Sequence, residues 1–279
     1  MKLSVSNIAW DPARFEEGLG LLRDLGCSGV EIAPSTLWKE PVQAGSAEIS
    51  AITSMIKRYR LETPAFQALL YTRPELKLFG DSNSRKETTD YLKQLIRLAG
   101  QMEVRVLVLG SPRNRYIGQQ SREECYALAV EMLGELGREA ALYSTCLCIE
   151  PLNTVHTDFI TSADEGYQLV SDVNHPNFGL HLDGRAMLES GEDFERVFRQ
   201  YGGILKHFHV GDRDLSAPGS SGLDHSEIGE ALSRSSYKGY VSIEMRRGSG
   251  EPQEVIKKAV AYVRDKYHIQ PVPAFGKAS

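Results

Sequence analysis

Short apolar runs alternate with amphipathic stretches along the whole chain, and this alternation predicts repeated strand–helix units. Eight runs have the length and the β-branched or leucine-rich composition of buried strands. They occupy residues 3–8, 29–33, 61–69, 104–109, 145–150, 178–183, 205–210 and 240–244. Between them, apolar residues recur every three or four positions, as Phe15, Leu19 and Leu22 do in the first stretch. That spacing is typical of a helix with one buried face.

Capping residues mark where several of these helices begin. Ser121 and Ser162 each stand three residues before a glutamate, which is the pattern of a capping box. Ser84 precedes Glu87 in the same way, so residues 71–84 are expected to form a long polar loop that ends at Ser84.

Eight strand–helix units without a break in composition predict one α/β domain, a (β/α)8 TIM barrel. The barrel is expected over residues 1–270, with an irregular tail over 271–279, in a chain of 279 residues. The alternative is an open doubly wound sheet. That fold usually has a glycine-rich loop after its first strand, and residues 7–10 contain no glycine.

Composition narrows the range of partners. The net charge of -5 gives no overall basic field for nucleic acid, and no apolar run approaches the roughly 18 residues that span a membrane. The amino terminus does not have the layout of a signal peptide.

Cys146 and Cys148 point to one side of a strand, so they are expected to be buried free thiols, with a redox or metal-binding pair as the alternative. These features predict a cytoplasmic protein.

Polar side chains end the last four predicted strands. In a barrel, alternate strand residues face the lumen, and the carboxyl ends of the strands form the catalytic mouth. The lumen-facing residues at these ends are Glu150, Asp183, His209 and Glu244. Each residue alone would more often be a solvated carboxylate or a core histidine, but four equivalent positions on consecutive strands predict one shared site. Three carboxylates together need a cation, and this ligand set suits one Mn²⁺, with Mg²⁺, Co²⁺ or Zn²⁺ as alternatives.

Further polar residues lie on the same faces of these strands. His181 and His207 are one layer deeper in the lumen, where a structural role or support of the ligands is expected. Glu31 ends the second strand and is expected to be a hydrogen-bonding residue rather than a catalyst.

These segments resemble the xylose-isomerase-like barrel superfamily of sugar isomerases and epimerases, which also contains the AP endonuclease family 2 fold. The resemblance covers nearly the whole chain. Its carriers are residues 29–32, 149–153, 180–183, 207–212, 218–228 and 239–244. In the ketose 3-epimerase branch, Glu, Asp, His and Glu from strands five to eight hold one metal, and both glutamates move the proton. The resemblance therefore implies that Glu150 and Glu244 are catalytic residues as well as metal ligands.

Two positions depart from that branch. Ala186 stands where a histidine is usual, and His156 stands where an acid is usual. Both positions touch substrate in the branch, so the substrate and the reaction stay open. Endonucleases of this superfamily need a three-zinc cluster with additional histidines. Gln67 and Ser111 occupy early strand ends here instead, so a DNA repair role is not expected.

Three functions fit this site. The first is a carbohydrate isomerase or epimerase, in which a glutamate removes a proton next to a carbonyl and the metal stabilises the enediolate. The second is a lyase or dehydratase that uses the same first step on a keto-sugar or keto-polyol. The third is a sugar-binding barrel that has no catalytic activity and keeps the metal for structure.

Substrate-binding residues are sought in the loops at the mouth. Arginines suit a carboxylate or a phosphate, so an anionic sugar is one hypothesis; solvated loop charges are the alternative. Arg246 shares the lumen side with Glu244 and is preferred, followed by Arg185. The full candidate set is Trp10, Asn153, His156, Arg185, Arg213, His225 and Arg246. Trp10 could stack on a sugar or fill the core, and either loop histidine could be a general acid. A homodimer is the default expectation.

Overall fold

The computed structural model describes residues 1–248 and 250–272. Within those residues, eight parallel strands surround one lumen. They are β1 Lys2–Ser6, β2 Gly29–Glu31, β3 Ala65–Phe66, β4 Val106–Leu109, β5 Cys146–Ile149, β6 Phe178–Asp183, β7 Leu205–Val210 and β8 Tyr240–Ile243. Each strand falls inside, or within one residue of, the run that the apolar pattern predicts.

Helices pack around this sheet. They are α1 Phe15–Asp24, α2 Pro34–Leu37, α3 Ser46–Arg58, α4 Ser82–Gln101, α5 Arg122–Leu142, α6 Ala163–Val173, α7 Gly184–Ser190, α8 Phe194–Tyr201, α9 Ser226–Arg234 and α10 Pro252–Tyr267. None of the helices in the described residues is long and apolar enough to cross a membrane.

The sheet closes into a barrel. Its strand order is β2-β1-β8-β7-β6-β5-β4-β3, and every neighbouring pair is parallel. Parallel bridges from Gly29 to Glu62 and from Ile32 to Phe66 join the two outer strands. Strand β3 has two residues, and Pro64, directly before it, has no N–H to donate. The predicted barrel is confirmed.

Two helix starts agree with the sequence and one does not. The hydroxyls of Ser121 and Ser162 accept hydrogen bonds from the backbone N–H three residues later, at 3.3 and 3.2 Å, as predicted. The predicted cap at Ser84 is wrong. The cap is Asp81, three residues earlier, and its carboxylate accepts a hydrogen bond of 2.8 Å from the N–H of Ser84. Aspartate is as good an N-cap residue as serine, so the choice of Ser84 placed the predicted start of α4 too late in the sequence.

Strand β7 contains an irregularity that changes which residues face the lumen. Leu180 of β6 pairs with Leu205, but the next residue, His181, pairs with His207, so Lys206 is an extra residue. A Cβ placed on lumen-facing Gly179 would lie 2.6 Å from Cγ of Lys206. Simple alternation along β7 would place Leu205 in the lumen and Lys206 against the helices, but a bulge reverses the alternation locally.

The interior divides into two apolar clusters. The larger one lies between the strands and the helices. The smaller one fills the lumen near the amino ends of the strands and consists of Ala65, Val106, Val108, Cys146 and Cys148. All four cysteines are buried free thiols, which confirms the expectation for Cys146 and Cys148. Of the predicted tail, residues 271 and 272 are described, and the N–H of Val272 bonds to the carbonyl of Gly26 at 3.1 Å. Residues 273–279 lie outside the described part.

Candidate active site

Four side chains meet at the carboxyl ends of β5, β6, β7 and β8. One ligating atom from each lies within 4.8 Å of the others; the residues are Glu150, Asp183, His209 and Glu244. The first three are buried, and Glu244 is half-buried. Asp183 and His209 are directly opposite each other in the register of β6 and β7. The structure therefore brings together all four residues that the strand ends predicted as ligands.

The imidazole of His209 points its Nδ1 atom into this cluster. Nδ1 lies 3.5 Å from Oε2 of Glu244 and 3.9 Å from Oε1 of Glu150. Burial alone would lower the pKa of His209, but the carboxylates of Glu31 and Glu244 outweigh it and raise the pKa well above its ordinary value. The surrounding carboxylates thus strongly favour a positive charge at Nδ1. Either a proton or a metal ion can supply that charge.

Asp183 uses its two carboxylate oxygens differently. Oδ1 caps helix α7 by accepting hydrogen bonds from the N–H groups of Arg185 and Ala186, at 2.7 and 3.2 Å. Oδ2 is buried and has no hydrogen-bond partner among the described residues; Nη2 of Arg185 lies 3.9 Å away. The helix cap holds the carboxylate in place, and Oδ2 is left as the ligating atom.

Glu150 is held from two sides. Nη2 of fully buried Arg115 donates a hydrogen bond of 2.6 Å to the backbone carbonyl of Glu150. Gly110, just beyond β4, lies beneath the carboxylate: a Cβ there would be 2.1 Å from Oε2 of Glu150. Sequence reasoning did not single out Gly110, although it continues the lumen-facing series of Val106 and Val108. Arg115, a further loop arginine, was not among the candidate residues either.

The electrostatics of Glu150 favour a bound cation. Burial raises the pKa of Glu150 to about 8, and the Glu244 and Asp183 carboxylates add to the rise, while His209 and Arg115 oppose it. A carboxylate with so high a pKa binds either a proton or a metal ion near neutral pH. Nδ1 of His209 and Oδ2 of Asp183 are also buried without hydrogen-bond partners in the described residues. The oxygen-rich donor set with one imidazole fits a divalent metal ion.

Glu31 supports the site from β2. Its Oε1 lies 2.8 Å from Nε2 of His209 and 3.3 Å from Nε2 of His207, and its Oε2 accepts a hydrogen bond from the hydroxyl of Ser242. Burial alone would raise the pKa of Glu31, but His209 and His207 hold it well below its ordinary value. Glu31 is therefore a buried anion that orients His209, in agreement with the hydrogen-bonding role predicted for it.

His181 is the deeper neighbour of Glu150. It is fully buried, and Nε2 lies 3.6 Å from Oε1 of Glu150. Neither ring nitrogen has a hydrogen-bond partner in the part of the chain that the structure describes. Burial, together with the nearby His209 and His207, lowers the pKa of His181 well below its ordinary value, so the ring is neutral.

One predicted substrate-binding residue, Arg185, lies beside the cluster, and a second, Asn153, contacts Glu189 of helix α7. Arg185 is largely buried, and its Nε has no hydrogen-bond partner among the described residues. The carboxylates of Asp183, Glu244, Glu150 and Glu189, in that order, raise the pKa of Arg185 above its ordinary value despite its burial. Nδ2 of Asn153 donates a hydrogen bond of 2.8 Å to Glu189, which joins the loop after β5 to helix α7.

The other candidates take different positions. Trp10 is buried against Gly18 of α1 and lines a cavity of about 150 Å³ beside α10, on the helix side of the barrel. His225 is buried, with Nδ1 2.8 Å from the hydroxyl of Tyr267. The remaining three candidates are exposed on loops, and they are His156, Arg213 and Arg246. Burial lowers the pKa of His225, and the carboxylates of Asp212 and Asp183 oppose that shift. The other four candidates have no described side-chain contact with the four-residue cluster.

Comparison with known proteins shows which family shares this architecture. Residues 19–266 match the family model described as xylose isomerase-like TIM barrel. The chain is 29% identical to a D-psicose 3-epimerase of Ruminiclostridium cellulolyticum over 162 residues. The matched region covers 58% of this chain and 55% of the relative. The chain is 22% identical over 229 residues to a fructoselysine 3-epimerase of Shigella flexneri, covering 80% and 82%. The chain thus spans about half the length of the first of these relatives.

Solved structures show the same fold. A D-psicose 3-epimerase from Clostridium cellulolyticum H10 with D-tagatose superposes with a TM-score of 0.81 at 20% identity, covering 96% of this chain and 99% of the other. The IOLI protein with a bound zinc atom superposes with a TM-score of 0.78 at 20% identity, covering 96% and 98%. At these identities the likeness concerns the fold.

Proposed function

We propose that this chain, which belongs to the xylose isomerase-like TIM barrel family, is a metal-dependent sugar isomerase or epimerase. The observation that carries the proposal is the convergence of four ligating atoms within 4.8 Å at the mouth of the barrel. Several of its relatives are sugar 3-epimerases, which supports a carbohydrate substrate. The proposed reaction removes a proton next to a carbonyl through a metal-stabilised enediolate, and Mn²⁺ is the preferred metal.

The four proposed ligands have different roles in this proposal. Asp183 and His209 would hold the metal only, since the helix cap and Glu31 fix their orientation. Glu150 and Glu244 would also move the proton, because they come from β5 and β8, at opposite ends of the row of four strands. When bound, the metal ion supplies Lewis-acid stabilisation of the developing negative charge. One glutamate as base and the other as acid on the opposite face would invert a stereocentre.

Arg185 is the best-placed residue for an anionic sugar among the proposed substrate-binding residues. Its guanidinium group lies in the field of the cluster's carboxylates, and its Nε is buried without a described partner. A carboxylate or phosphate on the substrate would satisfy that donor. Asn153, which donates a hydrogen bond to Glu189, is proposed as a second substrate-binding residue. Trp10, His156, Arg213, His225 and Arg246 remain further proposed substrate-binding residues.

Proton exchange with heavy water tests this function. The protein, loaded with Mn²⁺, is incubated in D₂O with neutral, phosphorylated and carboxylated keto-sugars, and deuterium at the carbon next to the carbonyl is measured by mass spectrometry. We expect exchange with at least one sugar and its loss in Glu150→Gln and Glu244→Gln. Lys2→Gln, which changes an exposed residue, is the control and should exchange normally. Metal binding without exchange across the panel would support the sugar-binding barrel instead.

A lyase or dehydratase is the second candidate. It is favoured by Ala186, which is buried and places a methyl group where the ketose 3-epimerase branch has a histidine, and by exposed His156, where that branch has an acid. The same first proton transfer would then be followed by loss of a leaving group. Product analysis in the exchange experiment distinguishes the reactions: an inverted or isomerised sugar indicates the first function, and a dehydrated or cleaved product indicates the second.

A further inference from the structure

A cavity of about 150 Å³ lies on the helix side of the barrel, between α1 and the start of α10. Its walls come from the loop after β1, from α1 and from the chain after β8. The backbone N–H of Arg247, after β8, donates a hydrogen bond of 3.1 Å to the carbonyl of Ile8, after β1, which joins these two segments. An apolar cavity of this size can hold one small ring compound. The space is therefore sufficient for a small-molecule ligand.

The indole of Trp10 supplies an unsatisfied hydrogen-bond donor at this cavity. Trp10 lines the cavity, and only 5% of its surface is exposed. Its Nε1 atom is buried and has no hydrogen-bond partner among the described residues. An indole N–H can only donate, and a buried donor without an acceptor is unfavourable. A ligand that carries an acceptor would satisfy this group.

Gly18 of α1 shows where this donor lies. A Cβ on Gly18 would clash with the Nε1 and Cε2 atoms of Trp10, so the nitrogen-bearing edge of the indole packs directly against α1. Gly18 itself lines the cavity. The unsatisfied N–H is therefore located at the wall of the cavity that α1 forms.

The rest of the lining favours a neutral ligand. Apolar side chains complete the interior, and they are Leu21, Pro252 and Ile256. The charged groups at the rim are paired with one another: Nη1 of Arg247 lies 2.6 Å from Oδ2 of Asp11, and Arg14 forms an ion pair with Glu17. Two arginines thus face two carboxylates, and their charges cancel. An apolar interior with one polar group that fixes orientation is typical of a small-molecule site.

We propose that the cavity between α1 and α10 is a second ligand site, which takes one small neutral ring compound with a hydrogen-bond acceptor directed at Nε1 of Trp10. Ketones and cyclic ethers belong to this class. Binding is non-covalent and needs no metal ion. Trp10 is the residue that this site shares with the substrate-binding residues proposed above, so competition with a sugar decides which ligand Trp10 contacts.

Nuclear magnetic resonance of the indole N–H groups tests this site without metal or sugar. The chain has two tryptophans, so protein labelled with nitrogen-15 gives two indole signals, and Trp38→Phe identifies the signal of Trp10. Cyclohexanone is the probe, and cyclohexane is the matched ring without an acceptor. We expect cyclohexanone to move the Trp10 indole proton downfield, as a new hydrogen bond does, until the shift saturates. Cyclohexane should not cause this downfield shift.

A matched pair of variants tests where the probe binds. Leu21→Phe keeps the indole but fills part of the cavity, so the saturable shift with cyclohexanone should be lost. Leu142→Phe makes the same change at a leucine that is 75% exposed, and it should respond like the unaltered chain. Circular dichroism checks that both variants fold. If Leu21→Phe does not fold, the comparison of the two probes on the unaltered chain decides.

Four results would overturn the proposal. The first is no shift, or a shift that never saturates, when cyclohexanone is added to the unaltered chain. The second is an equal downfield shift with cyclohexane, which would show that no acceptor is needed. The third is an unchanged response in folded Leu21→Phe. The fourth is displacement of cyclohexanone by a keto-sugar, which would assign the cavity to the sugar. The titration itself contains neither Mn²⁺ nor sugar, so it does not depend on the proposed function at the mouth.

Discussion

The Nε2 atom of His209 lies 2.8 Å from Oε1 of Glu31, although 178 residues separate the two along the chain. Glu31 is on β2 and His209 is on β7, so the contact crosses the lumen. A carboxylate at Nε2 holds a proton on that nitrogen, so Nδ1, which faces Glu150 and Glu244, is the atom that a metal ion would bind in place of its proton. In the proposed metal site, Glu31 would thereby select Nδ1 of His209 as the ligating atom.

Replacing Glu31 with glutamine should weaken metal binding at the mouth. An amide removes the buried negative charge that orients His209, and such a change typically costs 10- to 100-fold in metal affinity. The dissociation constant for Mn²⁺, measured by calorimetry, should rise by about that factor. Glu62→Gln, whose carboxylate forms an exposed ion pair with Lys2, is the control and should bind like the unaltered chain. Equal affinity in Glu31→Gln would show that His209 does not need this anchor.

Removing the imidazole of His209 should abolish the site. We expect mass spectrometry to find about one equivalent of metal per chain in the unaltered protein after incubation with Mn²⁺ and desalting, and much less in His209→Ala. His268→Ala removes a solvent-exposed histidine paired with Glu230 and should retain the metal. If neither the unaltered chain nor His209→Ala retains metal, the proposed enediolate mechanism fails.

A methyl group at Gly110 should displace the carboxylate of Glu150. The added Cβ would lie 2.1 Å from Oε2 of Glu150, so the carboxylate must rotate away from the cluster. We expect Gly110→Ala to fold but to bind Mn²⁺ at least several-fold more weakly, as measured by calorimetry. Gly248→Ala is the control, because a Cβ there has no heavy atom within 4 Å. Unchanged affinity would mean that the position of Glu150 is not critical for the metal.

Arg185 should determine selectivity for anionic sugars if the proposed function holds. Arg185→Met keeps much of the buried stem but removes the charge, so KM for a phosphorylated or carboxylated substrate should rise at least tenfold, with a smaller change for a neutral sugar. Arg246→Met, at an exposed arginine, provides the comparison. A larger rise in KM in Arg246→Met than in Arg185→Met would instead favour Arg246, the arginine that the strand pattern preferred, as the residue that binds the anion.

The sequence by itself determined the barrel and the four residues at its mouth. Alternation along a strand is a local property, so Glu150 and Asp183 could be assigned to the lumen without knowing what lies opposite them. The caps at Ser121 and Ser162 are equally local, since each hydrogen bond spans three residues. Such features depend on backbone geometry that short segments already specify.

Only the tertiary structure decided which distant groups meet. The anchoring of His209 by Glu31 depends on strand order and register, which the strands acquire only when the barrel closes. The bulge at Lys206 breaks the alternation that local reasoning assumes, and it follows from pairing with β6. Trp10 follows the first strand as expected, but packing against Gly18 takes its ring to the helix side. Nonlocal packing sets these contacts, and no local pattern encodes them.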